Sequence, residues 1–84
     1  MADTTEVTVR YFAGAKAAAG VPEERVSAAS LADLTSRLAA SHGAGLARVL
    51  QACSYLVDGT AARDRSARLP VGATVDVLPP FAGG

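Results

Sequence analysis

The residues best suited to chemistry stand together at the end of the chain, in the run Pro79-Pro80-Phe81-Ala82-Gly83-Gly84. Two prolines fix two backbone angles and favour an extended path. Residues 79–84 are therefore expected to project from the last strand as a flexible C-terminal tail. Phe81 is the one large apolar group on this arm, whereas Ala82, Gly83 and Gly84 have almost no cross-section and suit a narrow channel in another protein. With Gly84 terminal, its carboxylate enters first. A carboxylate resists nucleophiles because its leaving group would be oxide. Adenylation converts it to a mixed anhydride with a good leaving group, open to attack by sulfur or nitrogen. Glycine at this position leaves the path of attack clear.

Other reactive side chains are sparse. His42 is the only histidine and Cys53 the only cysteine. His42 lies in the Gly-flanked run SHGAG and reads as a solvent-exposed loop residue with no partner nearby in sequence. Cys53, just ahead of a strand, reads as a small buried apolar filler. The run AGAKAAAG holds Lys16 but lacks the Gly-Lys-Ser/Thr ending of a phosphate loop. Arg63, Arg65 and Arg68, interrupted by Asp64, read as solvated surface.

Composition narrows the function classes. Eight basic and eight acidic residues cancel, which removes the electrostatic footprint of a nucleic-acid or anionic-membrane binder. One cysteine allows neither an internal disulfide nor a multi-cysteine zinc site, and points to a reducing, cytoplasmic setting. No apolar run is long enough to span a bilayer, and the N-terminus has no basic start followed by an apolar stretch. Eighty-four residues suit one domain, 1–84, with a small aliphatic core.

A tail of this kind needs a scaffold that presents the end of the chain. Val7, Val9 and Tyr11 alternate with Thr8 and Arg10, so the spacing predicts a strand over 6–12 with one buried face. Gly14, Gly20 and Pro22 make the next stretch a loop with one helical turn over 16–19, and 25–27 a short return strand closing a wide hairpin. Ser30 can cap a helix in which Asp33 adds negative charge to the first turn and Leu31, Leu34 and Leu38 share a face. Gly43 and Gly45 suit a left-handed helix stop. A second short helical turn follows over 46–50.

The run CSYLVDG is a strand ending in Asp58-Gly59, a pair that favours a tight hairpin. A polar loop around a brief edge strand, a turn at LPVGAT and a final strand in TVDVLPP complete the chain, with Pro79 and Pro80 stopping the ladder. The sum is a two-layer α+β domain, one main helix covering one face of a four- to five-stranded sheet.

Taken together, VTVRYFAGAKAAAG, SLADLTSRLAA, YLVDG and LPVGATVDVLPPFAGG resemble the ubiquitin-like sulfur carriers of the MoaD/ThiS type, most closely the small subunits of molybdopterin synthase. The likeness runs from about Val7 to Gly84, and the terminal motif is its specific part. The resemblance implies a β-grasp fold with a mixed sheet. It also implies a carrier whose Gly84 is adenylated by an E1-like enzyme that consumes ATP, then converted to a thiocarboxylate with sulfur from a persulfide donor. Gly83 and Gly84 match the reactive tail, Phe81 and Ala82 the steps into it, and Leu78, Pro79 and Pro80 its junction with the sheet. The implied acceptor is the molybdopterin synthase large subunit. The carrier itself holds no metal, no bound cofactor and no self-contained active site. Ala73 and Thr74 depart from the family pattern, which often has an acidic residue after the preceding glycine. Two alternatives share the tail chemistry: a carrier for cysteine, thiazole or thio-metabolite synthesis, and a protein modifier conjugated through Gly84.

Overall fold

The computed structural model describes residues 4–80. Its elements in chain order are β1 (Thr5–Tyr11), α1 (Ala13–Ala19), β2 (Glu23–Ala28), α2 (Leu31–His42), α3 (Ala44–Ala52), β3 (Ser54–Val57), β4 (Thr60–Ala61) and β5 (Thr74–Leu78). The strands form one sheet in the order β2-β1-β5-β3-β4. β1 and β5 run parallel at its centre, with Arg10 opposite Asp76 and Tyr11 opposite Val77. The other pairings are antiparallel.

Period-two alternation places Val7, Val9 and Tyr11 of β1 in the core together with Val75 and Val77 of β5. Against this face pack Leu31, Leu34 and Leu38 of α2 and Leu46 and Leu50 of α3, all buried. A fully buried leucine of this kind contributes roughly 1.5–3 kcal/mol through removal of apolar surface from water.

The α2 start is capped in both directions. Ser30 Oγ accepts from the Asp33 amide at 3.1 Å, and Asp33 Oδ2 accepts from the Ala29 amide at 2.8 Å. Asp33 thus closes a reciprocal cap besides adding charge to the first turn. The amide of Ala29 foremost, and then Arg37 one turn on, hold the Asp33 carboxyl below its ordinary range. Gly43 ends α2 at φ 95°, a backbone region that side chains with a Cβ rarely enter. Asp58 and Gly59, at φ 50° and 81°, turn β3 directly into the two-residue edge strand β4, as their order in the sequence indicates.

Three helices stand where the sequence reading expects one main helix. α1 fills seven residues of the predicted loop, and α3 extends the predicted short turn to nine. Gly45 accordingly lies inside α3, not at a helix stop. α1 fully buries only Ala15, with Ala18 and Ala19 half-buried against the core. Its stability comes from these alanine contacts and from the left-handed Gly20 cap, neither of which stands out in a segment composed mostly of alanine. The return strand β2 likewise exceeds its expected span, because all six of its residues find ladder partners on β1.

Candidate functional site

The final strand delivers the chain end. β5 is held between β1 and β3, with Leu78 paired to Ser54 at its last position. Pro79 is half-buried and Pro80 exposed. Phe81, Ala82, Gly83 and Gly84, the predicted contact and reactive residues, lie outside the described residues. The structure therefore describes the base of the predicted tail, up to Pro80.

That base is fastened by an ion pair on the sheet face opposite the helices. Arg10 Nε and Nη2 donate to Asp76 Oδ1 and Oδ2 at 2.6 and 3.0 Å, bridging the two central parallel strands. Asp76 is the one charged residue among the described residues that is buried. Its carboxylate raises the Arg10 pKa, through the hydrogen bond first and its charge second. The guanidinium also lies 5.7 Å from the centroid of Phe12, within cation–π range. Arg10 and Asp76 each occupy the non-core phase of an alternating strand, which was the available sequence signal. What makes them neighbours is the parallel pairing of chain ends 66 residues apart.

A second polar cluster joins β1, β2 and the end of α2. Glu24 Oε2 accepts from the Tyr11 hydroxyl at 2.5 Å and lies 2.5 Å from His42 Nε2. The rings of Tyr11 and His42 meet edge to face at 6.1 Å. Burial, followed by the bond to Glu24, raises the Tyr11 phenol pKa. His42 is thus no solvent-exposed loop residue: its side chain retains 17% exposure, and it closes α2 against the hairpin. The partner on β2 is 18 residues distant, beyond the reach of local sequence inspection.

Cys53 is buried, as its sequence context indicates, with Sγ 3.2 Å from the Val49 carbonyl oxygen. Burial pushes its thiol pKa up, the opposite of an activated nucleophile. Arg65 departs from the solvated-surface reading. It donates to the Cys53 carbonyl at 3.3 Å, and its guanidinium lies 5.0 Å from the centroid of the Tyr55 ring. Its own carbonyl accepts from the Ala32 amide, tying the 62–70 loop to α2. Among the described residues no group of three or more His, Cys, Asp or Glu could hold a metal ion, and no helix is long and apolar enough to cross a membrane.

A five-stranded mixed sheet, a central parallel pair formed by the first and last strands, and helices gathered on one face define a β-grasp, ubiquitin-like protein. The sequence profile of the ThiS family matches residues 9–84, and the chain belongs to that family. Small archaeal modifier protein 1 of Methanosarcina acetivorans shares the fold at TM-score 0.83 and 23% identity, over 98% of this chain and 99% of that one. SAMP1 of Haloferax volcanii is similar at 25% identity and TM-score 0.78, over 94% and 99% of the two chains. A complex of subunits 1 and 2 of the molybdopterin-converting factor of Helicobacter pylori 26695 includes a chain similar at 25% identity and TM-score 0.70, over 95% of this chain and 100% of that one. The search among curated proteins returns no match. The class is accordingly that of a sulfur carrier or ubiquitin-like modifier.

Proposed function

We propose that this chain is a cytoplasmic sulfur carrier, a single β-grasp domain whose Gly84 carboxylate is adenylated by an ATP-consuming E1-like enzyme. A persulfide donor then supplies sulfur to give a C-terminal thiocarboxylate. The acceptor is a molybdopterin synthase large subunit, so the chain acts as the sulfur-donating subunit of that complex in molybdenum cofactor synthesis. The observation that carries this reading is the family match, which extends through the whole Phe81-Ala82-Gly83-Gly84 end to residue 84. The likeness to subunits of a molybdopterin-converting factor supports the choice of acceptor. Pro79 and Pro80 direct the tail, Phe81 contacts the partner, and Ala82 and Gly83 let Gly84 through a narrow passage.

The division of labour is chemical. Adenylation forms the acyl–phosphate bond and releases pyrophosphate. Persulfide sulfur then attacks the acyl carbon and AMP leaves. Reductive cleavage of the resulting acyl disulfide by a thiol leaves the thiocarboxylate.

Intact-mass measurement of protein from its native host tests the reading. The expected species carries one sulfur in place of one C-terminal oxygen, and a large-subunit partner copurifies with it. Deletion of Gly84 should abolish the modified species while leaving the denaturation midpoint unchanged, because the described residues form the sheet and core without it. A native-host protein with an unmodified carboxyl, or copurification with a cysteine-synthase-like enzyme instead, overturns the assignment to molybdopterin synthesis. The second reading, protein modification through Gly84, draws on the likeness to SAMP1 and is recognised by isopeptide-linked adducts in cell extract.

A further inference from the structure

The sequence contains seven arginines and a single lysine, Lys16. An activated acyl group distinguishes sharply between the two. A guanidinium stays protonated and does not attack, whereas the free base of a lysine amine is a competent nucleophile. Among the side chains, the chain therefore offers its own activated end one amine.

The fold puts α1, which carries that amine, beside the last strand. The Lys16 amide donates to the Phe12 carbonyl, and the Phe12 amide donates to the Val77 carbonyl, one residue before the end of β5. Lys16 is exposed, and its ammonium forms no ion pair or hydrogen bond among the described residues. Two surface depressions flank it. One, of about 350 Å³, is lined by Ala13, Ala17, Gly20, Val21 and Pro22 besides Lys16 itself. The other, of about 360 Å³, includes Phe12 and Glu23. Phe12 and Val21 are two of the three large apolar residues exposed among the described residues. On the side of Ala17, Gly20 and Val21 the surface beside Lys16 is small and apolar, whereas the other depression is walled by the larger Arg10, Tyr11, Phe12 and Glu23.

We propose that Lys16 is a modification site, the amine that accepts the activated Gly84 acyl group of a second copy of this chain. An end composed of Phe81, Ala82, Gly83 and Gly84 matches the surface: one apolar ring for an apolar depression, then residues small enough to bring the acyl carbon to the amine. Residues 79–84 span at most about 20 Å when extended. In the reaction the Lys16 amine attacks the Gly84 carbonyl carbon of the acyl adenylate. The C–N bond forms, the C–O bond to AMP breaks, and the nitrogen loses a proton to solvent. In the cell this step rests on the adenylation assigned under the proposed function.

The test bypasses the activating enzyme, so its failure is distinct from failure of that reading. Full-length protein carrying a Gly84 thioester, made by intein cleavage, is incubated at mildly alkaline pH and followed by intact mass and peptide mapping. The expected product is a dimer lighter than two free chains by one water, with a branched peptide joining residues 69–84 to Lys16. Lys16→Arg should reduce the dimer by about ten-fold or more, because the substituted guanidinium cannot attack. Val21→Asp, which retains the amine and alters only an exposed position, should slow its formation several-fold. A linkage at the N-terminal amine, equal dimer yield from Lys16→Arg, a rate unaffected by Val21→Asp, or loss of one water within a single chain overturns the proposal.

Discussion

Tyr11 and Tyr55 carry phenol groups into a largely aliphatic interior, and both find an acceptor there: Glu24 for Tyr11 and the Leu50 carbonyl, at 2.7 Å, for Tyr55. Burial is the leading cause that raises both pKa values above the ordinary 10.0, to about 12 for Tyr55. Between these values the unfolded chain has released phenol protons that the folded chain retains. Folded protein then binds more protons than unfolded protein, so stability falls as pH rises. The stabilising contribution is complete below pH 10 and is lost as pH climbs through the folded-state values, first through about 12 for Tyr55. The urea midpoint should therefore decline above pH 10, and Tyr55→Phe should flatten that decline. A midpoint equally steep in pH for Tyr55→Phe and the parent would refute the assignment. At this scale the sequence shows an aromatic at an inward strand position, but its polar partner comes from another element. The same limit hid the Glu24–His42 contact.

Among the elements, α2 was the most legible because its signals are local: a serine cap, an acid three residues later and leucines at helical spacing. The reciprocal Ser30–Asp33 cap leads to a specific expectation. Ser30→Ala should cost about 1 kcal/mol through loss of the acceptor for the Asp33 amide, read as a lowered urea midpoint with unchanged slope. No shift in the midpoint would mean that water replaces the hydroxyl at no cost. The Asp58-Gly59 hairpin and the first and last strands, β1 and β5, were legible for the same local reason. α1 was not, because a seven-residue alanine-rich segment with one buried side chain is helical only in the presence of the sheet it covers. α3 carried a signal, Leu46 and Leu50 one turn apart and both buried, but Gly45 in its first turn obscured where the helix begins.

Across the whole molecule, the candidate site and the scaffold were legible to different depths. The chemistry proposed for Gly83 and Gly84 rests on residue types and the family resemblance, and both positions lie outside the described residues. The fastening of the tail base by Arg10 and Asp76 required the sheet order, because only the parallel β1–β5 pairing brings these two residues together. That pairing also has a mechanical consequence. β1 and β5 lie side by side and point the same way, so the chain enters the sheet at one pole and leaves it at the other. Tension applied between its ends shears these strands along their length, loading their ladder hydrogen bonds and the Arg10–Asp76 bridge together. Tension applied between positions 5 and 28, which face each other at the open end of the β1–β2 hairpin, unzips its bonds in succession. Single-molecule pulling should therefore require the greater force in the end-to-end geometry. Equal forces in the two geometries would show that the central pair bears no shear. For the proposed function, in which the C-terminus enters a partner's channel, this arrangement lets the domain hold its shape while pulled by that end.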